Sequence, residues 1–230
     1  MMNTAFSNRS EMEVEIPCSG AVLDGDLVIP AGANGIVLFA HGSGSSRVSP
    51  RNRMVAEEMH KHGLATLLFD LLTPLEAAEE SATGVLRFNI PFLSDRLKAA
   101  TRWTQKEDGL KNLGIGYFGA STGAAAALTA AADIPEVQAV VSRGGRTDLA
   151  GDAVERVRAA TLLIVGELDQ PVIEWNNATY DRLPEIRRLA IIDGASHLFQ
   201  EPGTLEHVAE LAASWFEAYL TKFPSPRGHP

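Results

Sequence analysis

One serine of this chain lies in a setting that can turn its hydroxyl into a nucleophile. The pentapeptide 119–123 (Gly-Ala-Ser-Thr-Gly) separates residues 113–118, which read as a buried strand, from a helical run of small residues, 122–132. A tight turn between strand and helix projects a serine hydroxyl above the sheet, and flanking glycines leave room for that turn. We therefore predict that Ser121 is a catalytic nucleophile.

A serine hydroxyl is a poor nucleophile at neutral pH, so it needs a base, and the base needs a carboxylate to orient it. Asp169 follows the predicted strand 161–165, and His197 follows the predicted strand 189–192. The order serine, acid, histidine along the chain is typical of this arrangement. We predict that Asp169 holds one ring nitrogen of His197 while the other takes the proton of Ser121.

Each partner has competitors. Asp169 could instead cap the helix predicted to begin near Glu174, and Glu167 is the nearest rival carboxylate. Among the remaining histidines, those on helical patterns or in the tail are predicted to be surface residues: His60, His62, His207 and His229.

A Gly/Ser-rich loop, residues 41–47, directly follows another predicted strand. Acyl transfer creates an oxyanion that preorganised backbone N–H groups stabilise, one from such a loop and one from the residue after the nucleophile. We assign the backbone N–H groups of Ser43 and Thr122, with Gly44 as the alternative to Ser43. His41 is predicted to hold the loop by hydrogen bonds. A phosphate-binding loop is disfavoured because the Gly-Lys-Ser/Thr ending is missing.

Arginines cluster at two places predicted to face the same edge of the sheet: Arg47, Arg51, Arg53, Arg143 and Arg146. Surface arginines ordinarily pair with acids or stay solvated. The sharper hypothesis is that Arg47 or Arg143 holds a substrate carboxylate or phosphate by bidentate hydrogen bonds.

Short apolar runs alternate with helical stretches along the chain, which favours an α/β fold with a mostly parallel sheet covered by helices on both faces. Residues 14–16 and 21–29 predict an antiparallel hairpin at the sheet edge. The further predicted strands are 35–40, 65–70, 113–118, 137–142, 161–165 and 189–192, which makes eight. The predicted helices are 50–62, 91–105, 122–132, 174–182 and 204–222, with one more turn at 152–158.

We expect a single domain over residues 13–222, flanked by a flexible N-terminus, 1–12, and a flexible tail, 223–230. Residues 73–89 read as a loop, either a mobile flap over the pocket or a solvated acidic segment. No large cap is predicted.

Composition excludes several classes of function. The 230 residues carry a net charge of −9, which argues against nucleic acid or an anionic membrane as the main partner. The single cysteine, Cys18, excludes an internal disulfide and a cysteine-based metal site, and it is predicted to be buried or half-buried. Without a secretory signal or a long apolar run, the expected location is the cytoplasm. The chemistry requires no metal or organic cofactor, and the sequence specifies no oligomeric state.

The chain resembles α/β-hydrolases of the dienelactone hydrolase-like family. The motifs that carry the resemblance are the 41–47 loop, the turn at Ser121, Gly166-x-x-Asp169 and Ala195-Ser196-His197, and the match covers residues 13–220. Ser49-Pro50-Arg51-Asn52 and Ser142-Arg143-Gly144-Gly145 resemble a bacterial subgroup sometimes joined to phosphoribosyltransferase-like domains.

The resemblance implies hydrolysis of carboxylic esters, and the absence of a predicted large cap favours small or short-chain acyl substrates. Dienelactone hydrolases proper use a cysteine nucleophile, whereas this chain carries Ser121. Thioesterase or perhydrolase activity with the same three residues, and a catalytically idle ligand-binding module, remain alternatives.

Overall fold

The computed structural model describes residues 9–184 and 186–223, and the strands within these ranges form one sheet. The strands are β1 (Arg9–Cys18), β2 (Ala21–Pro30), β3 (Gly35–Ala40), β4 (Ala65–Phe69), β5 (Gly114–Ala120), β6 (Val137–Arg143), β7 (Ala160–Gly166) and β8 (Arg187–Ile192). Their order across the sheet is β1-β2-β4-β3-β5-β6-β7-β8. β1 pairs antiparallel with β2, and β2 pairs antiparallel with β4. All other neighbours are parallel, so the carboxyl ends of β3 and β5 to β8 meet at one edge.

Helices cover both faces of the sheet. They are α1 (Pro50–Lys61), α2 (Pro74–Thr83), α3 (Ile90–Thr104), α4 (Thr122–Asp133), α5 (Gln170–Arg182) and α6 (Thr204–Tyr219). Short 3₁₀ segments occupy Leu86–Phe88 and Thr147–Arg156. α3 and α4 pack into one hydrophobic cluster, and α1 and α6 pack into a second one on the opposite face. This is the eight-stranded α/β fold predicted from the sequence.

The central strands are mostly apolar because helices cover them on both sides. Every residue of β5 is buried. The first four alanines of α4, residues 124–127, are fully buried as well, since their small side chains let the helix lie close to the sheet behind Ser121.

The prediction of a loop over residues 73–89 is wrong. This segment forms α2 and the 3₁₀ turn 86–88. The Thr73 hydroxyl accepts a hydrogen bond from the Glu76 N–H, and the Glu76 carboxylate accepts one from the Thr73 N–H. This capping box stabilises the start of the helix, and proline in the first turn is compatible with it. Gly84, in the left-handed conformation, ends the helix. The acidic composition of the segment does not indicate this helix.

Other predictions differ from the structure in detail. β1 begins at Arg9, so strand pairing starts four residues ahead of the expected domain boundary at 13. Residues 1–8 and 224–230, which belong to the predicted flexible ends, lie outside the described residues, as does His229. Cys18 is buried, as predicted.

The prediction that His60 is a surface residue is wrong. Its side chain is only 6% exposed. The ring lies 2.7 Å from the Thr66 hydroxyl on β4. The helical pattern around His60 did not reveal that this position faces the sheet. By contrast, His207 is exposed, as predicted.

The described residues contain neither a candidate membrane span nor a candidate metal site. Within 9–184 and 186–223, no helix combines the length and apolarity needed to cross a bilayer. In the same ranges, no three His, Cys, Asp or Glu side chains converge as metal ligands would.

Candidate active site

Ser121 occupies a strained turn between β5 and α4. Its φ is 51° and its ψ is −120°, a region that non-glycine residues rarely adopt. A Cβ added to Gly119 would lie 2.5 Å from the Ala124 Cα, and one added to Gly123 would lie 2.1 Å from the Ala40 carbonyl oxygen. Both glycines are therefore required for close approach, which is the reason that the sequence motif predicts this turn.

Backbone hydrogen bonds from the neighbouring strand hold the turn in place. The Ser121 N–H donates to the Arg143 carbonyl at 3.1 Å, and the Arg146 N–H donates to the Ser121 carbonyl at 3.0 Å. Both main-chain polar groups of Ser121 are thus paired with the turn that follows β6. A strained conformation persists only where its surroundings over-determine it, and these bonds contribute to that.

Asp169 and His197 are brought together, as predicted. The His197 Nδ1 lies 2.5 Å from the Asp169 Oδ2. Asp169 occupies the N-cap position of α5, yet its side chain makes no capping hydrogen bond. Since a carboxylate only accepts, Nδ1 carries the proton in the neutral ring, and Nε2 is left with a lone pair that can accept one.

The loop that carries His197 is held by two further carboxylates. The Glu167 Oε2 accepts a hydrogen bond from the Gly194 N–H at 2.7 Å, so this rival of Asp169 is engaged with backbone. The Glu201 carboxylate accepts one from the Ser196 N–H at 3.0 Å. Hydrogen bonds from Ser196 lower the pKa of Glu201. The sequence analysis missed Glu201, because no motif marks a carboxylate that follows a histidine by four positions.

His197 packs against Gly144, which follows β6 and lies next to the residue that bonds to Ser121. Gly144 has a φ of +53°, and a Cβ there would lie 3.2 Å from the His197 carbonyl oxygen and 3.4 Å from its ring. Within the described residues, no hydrogen bond joins the His197 ring to the Ser121 hydroxyl. Catalytic hydrogen bonds are often long in the absence of substrate and tighten in the complex. The structure therefore places His197 against Gly144, next to the strand end that bonds to Ser121, without a hydrogen bond between the two side chains.

The two residues assigned to the oxyanion site are also adjacent. The Ser43 N–H donates to the Thr122 hydroxyl at 3.2 Å, and the two hydroxyl oxygens lie 3.0 Å apart. Thr122 begins α4, so its N–H is a first-turn donor with no acceptor inside the helix. Gly42 brings the two loops together, because a Cβ there would lie 3.1 Å from the Ser121 Cβ. A substrate oxygen between these loops would meet the positive end of α4.

The His41 side chain holds the Gly/Ser loop through hydrogen bonds of both ring nitrogens. Its Nδ1 lies 3.0 Å from the Gly42 carbonyl oxygen, and its Nε2 accepts a hydrogen bond from the Leu71 N–H. Burial lowers the pKa of His41. A neutral ring that donates from Nδ1 and accepts at Nε2 satisfies both contacts, which agrees with the predicted structural role.

A cavity of about 340 Å³ opens beside the oxyanion loop. Its lining combines the loop with α2 and the start of α3: His41, Gly42, Ser43, Gly44, Ser45, Leu71, Leu72, Ala77, Glu80, Ser81, Arg87, Leu93 and Thr122. Glu80 is buried and forms an ion pair with Arg87, which ties α2 to the following 3₁₀ turn. The segment predicted as a flap thus forms one wall of this cavity.

The two candidate anion-binding arginines have different surroundings. Arg47 donates from Nη1 to Asp70 at 2.8 Å and from Nε to Asp26 at 3.3 Å. Its guanidinium is therefore occupied by the protein's own carboxylates. Arg143 is buried, and in the described chain neither its Nε nor its Nη1 has a hydrogen-bond partner.

Comparison with known proteins gives a consistent picture. No family model matches the chain. The crystal structure of dienelactone hydrolase from Anabaena variabilis superposes with a TM-score of 0.91 at 56% identity, covering 93% of this chain and 99% of that one. The esterase domain of a Rhodothermus marinus protein superposes with a TM-score of 0.71 at 22% identity, covering 91% and 99% of the two chains. At that identity the second likeness shows the fold alone.

Among curated proteins, the chain is 51% identical over 217 residues to a Mycobacterium tuberculosis protein described as "Putative phosphoribosyl transferase Rv0571c". The alignment covers 94% of this chain and 48% of that protein, so the chain spans about half the length of the curated relatives it matches. The match to the Anabaena enzyme, in contrast, runs over nearly the whole of both chains. The chain therefore belongs to the dienelactone hydrolase-like family of α/β-hydrolases.

Proposed function

We propose that the chain hydrolyses carboxylic esters through a serine-histidine-aspartate triad. The observation that carries this proposal is the pairing of His197 Nδ1 with Asp169 Oδ2 at 2.5 Å, at the same edge of the sheet as the strained Ser121. Asp169 is in position to cap α5 and does not do so. A carboxylate that is engaged with a histidine ring in this way orients the base of a nucleophilic serine.

The reaction then runs in two halves. His197 Nε2 takes the proton of Ser121 as its oxygen attacks the ester carbonyl. The N–H groups of Thr122 and Ser43 stabilise the resulting oxyanion, and the Ser43 N–H exchanges the Thr122 hydroxyl for the substrate oxygen to do so. Collapse of that intermediate releases the alcohol, which receives the proton from His197, and leaves an acyl group on Ser121. Water, deprotonated by His197, attacks the acyl-enzyme and releases the carboxylic acid.

The cavity favours small substrates. Its volume of about 340 Å³ is at the low end for small-molecule sites. Leu71, Leu72 and Leu93 supply apolar lining beside the oxyanion loop, and α2 closes one side. These walls suit a short acyl or alcohol group better than a long chain.

Covalent labelling with a fluorophosphonate tests the nucleophile directly. We expect one adduct on Ser121 by mass spectrometry, and turnover of p-nitrophenyl acetate that Ser121→Ala abolishes. His197→Gln should abolish turnover as well, whereas His207→Gln changes an exposed histidine of α6 and should not affect it. If the folded protein is neither labelled nor active on esters, the proposal is wrong, and a ligand-binding role becomes the better description.

A further inference from the structure

Asn176 is a fully buried polar residue of α5 that has no part in the mechanism above. Its Nδ2 donates to the Gly145 carbonyl at 2.9 Å and to the Val172 carbonyl, one turn back in the helix, at 2.8 Å. Among the described residues, its Oδ1 has no hydrogen-bond partner. An unpaired buried acceptor is unfavourable, so an apolar side chain of similar shape would serve packing better. The amide therefore calls for an explanation beyond the stability of the helix.

The bond to Gly145 connects Asn176 with the turn after β6, residues 144–146. Within 9–184 and 186–223, no backbone N–H donates to the Gly145 carbonyl, so the amide of Asn176 is its donor. A Cβ on Gly145 would lie 2.0 Å from the Ser142 Oγ and 2.7 Å from the Ala124 Cβ. The turn is thus packed tightly against β6 and α4 and is bonded to α5.

The same turn contacts two members of the proposed triad. A Cβ on Gly144 would lie 3.4 Å from the His197 ring, and the Arg146 N–H donates to the Ser121 carbonyl at 3.0 Å. Gly145 stands between these two residues in the chain. Because planar peptide units join neighbouring residues, a displacement at position 145 is passed on to both of them. The amide that holds Gly145 is therefore linked to the nucleophile and to the base.

The helix that carries Asn176 also carries the proposed acid. Asp169 is the N-cap residue of α5, and its carboxylate lies 2.5 Å from the His197 Nδ1. Asn176 lies about two helical turns further along α5, so the helix fixes the distance between the acid and the amide. One helix thus holds the base through Asp169 and the turn that bonds to Ser121 through Asn176.

We propose that Asn176 is a positioning residue, whose amide sets the turn after β6 and thereby the placement of Ser121 relative to His197. The inference rests on the proposed ester hydrolysis, since it adds a positioning group to the same site. Catalytic groups must be held closely, and a misplacement of about 1 Å can cost about 10²-fold in rate. The Arg146 guanidinium also lies 4.2 Å from the Trp175 ring of α5, so the turn keeps a second contact with this helix when the amide is removed. The expected loss is therefore partial.

Two variants of α5 separate positioning from stability. Asn176→Leu removes the amide and keeps the approximate size of the side chain. Thr179→Val, the control, removes a buried hydrogen bond of 2.8 Å from the same helix to Thr147, which follows the turn. Labelling by a fluorophosphonate yields the maximal inactivation rate, kinact, and the half-saturation constant, KI. We expect kinact of Asn176→Leu to fall by about 10- to 100-fold, and KI to change by less than about three-fold because Asn176 does not line the cavity. Both constants of Thr179→Val should stay within about three-fold of the wild-type values.

Amide hydrogen exchange, followed by NMR, tests the structural link without any catalysis. The N–H groups of Ser121 and Arg146 are both bonded across the turn. In Asn176→Leu they should exchange at least about ten-fold faster than in the wild type, measured relative to the amides of β5, which pair with β3 and β6. Thr179→Val should leave this ratio unchanged. Asn176→Ala, which lacks the amide and keeps a strong helix former, serves if the Leu variant does not fold.

Three outcomes would overturn the inference. A wild-type kinact in Asn176→Leu would show that the amide does not position the nucleophile. An equal fall of kinact in Thr179→Val would make the loss a general effect of weakening α5. Unchanged exchange of the Ser121 and Arg146 N–H groups would show that the turn does not depend on the amide. If the wild type itself is not labelled, the proposed function fails, and the exchange measurement still reports whether Asn176 holds the turn.

Discussion

Replacing Asp169 by asparagine removes a charge and leaves the shape of the side chain unchanged. Its carboxylate lies 2.5 Å from the His197 Nδ1, and the two side chains are 13% and 36% exposed. In the proposed mechanism His197 becomes a cation when it takes the proton of Ser121, and Asp169 stabilises that cation. The amide of asparagine cannot do so, and it can turn its N–H₂ group toward Nδ1, which favours the wrong tautomer.

The size of the effect follows from the geometry. Two unit charges about 4 Å apart interact with about 4 kcal/mol at an effective dielectric constant of about 20, the value suited to pairs near a protein surface. Since about 1.4 kcal/mol corresponds to a factor of ten in rate, kcat should fall by about 10³. The exposure of His197 reduces the expected loss of kcat through solvent screening, and the wrong tautomer increases that loss.

The assay is steady-state hydrolysis of p-nitrophenyl acetate by Asp169→Asn, with two companions. Asp193→Asn changes an exposed aspartate of the same loop and should leave kcat within about two-fold. Glu167→Gln weakens a hydrogen bond to the Gly194 N–H and should cost less than ten-fold. If Asp169→Asn keeps more than a tenth of the activity while Glu167→Gln loses more, the assignment of the acid is wrong.

Two further predictions concern stability. Gly123→Ala would put a Cβ 2.1 Å from the Ala40 carbonyl oxygen and should lower the free energy of unfolding by about 3 kcal/mol or more. The control is Gly109→Ala, whose Cβ would have nothing within 4 Å and which should change the free energy of unfolding by less than about 1 kcal/mol. Denaturant titration measures both variants, and equal effects would contradict the close approach. Burial lowers the pKa of His41 in the folded protein, so the unfolded chain binds more protons as the pH falls below about 6.5. The free energy of unfolding should therefore decrease from that pH down through the folded pKa. A His41→Gln variant with an unchanged pH dependence of stability between about pH 7.5 and about pH 5 would refute this.

The fold and the three proposed catalytic residues could be predicted because each depends on local signals. Short apolar runs mark the strands. Ser121 directly follows β5, and Asp169 and His197 lie on the loops after β7 and β8. The carboxyl ends of parallel strands meet at one edge of the sheet, so knowing the strands is enough to bring the residues together. The structure adds that Asp169 contacts His197 in preference to capping α5, which the sequence left open.

Ion pairs between residues far apart in the chain could not be predicted from the sequence. Arg47 contacts Asp26 on β2 and Asp70 after β4, and neither aspartate belongs to a motif that includes the arginine. The capping box at Thr73 was a readable signal, and it was outweighed by the acidic composition of the segment that follows. Composition describes the exposed face of a short helix as readily as it describes a loop, so only the caps distinguish the two.

The end of β6 and the turn that follows it contact both the proposed nucleophile and the proposed base. Arg143 accepts the Ser121 N–H at its carbonyl, Gly144 contacts His197, and Arg146 donates to the Ser121 carbonyl. A side chain at position 144 would press on His197, so the turn must keep its glycine while it carries an arginine beside it. The three residues that contact Ser121 and His197 here thus include a buried cation, Arg143. A substitution that shifts the backbone of this segment should therefore displace the nucleophile, because the N–H and the carbonyl of Ser121 both bond to it.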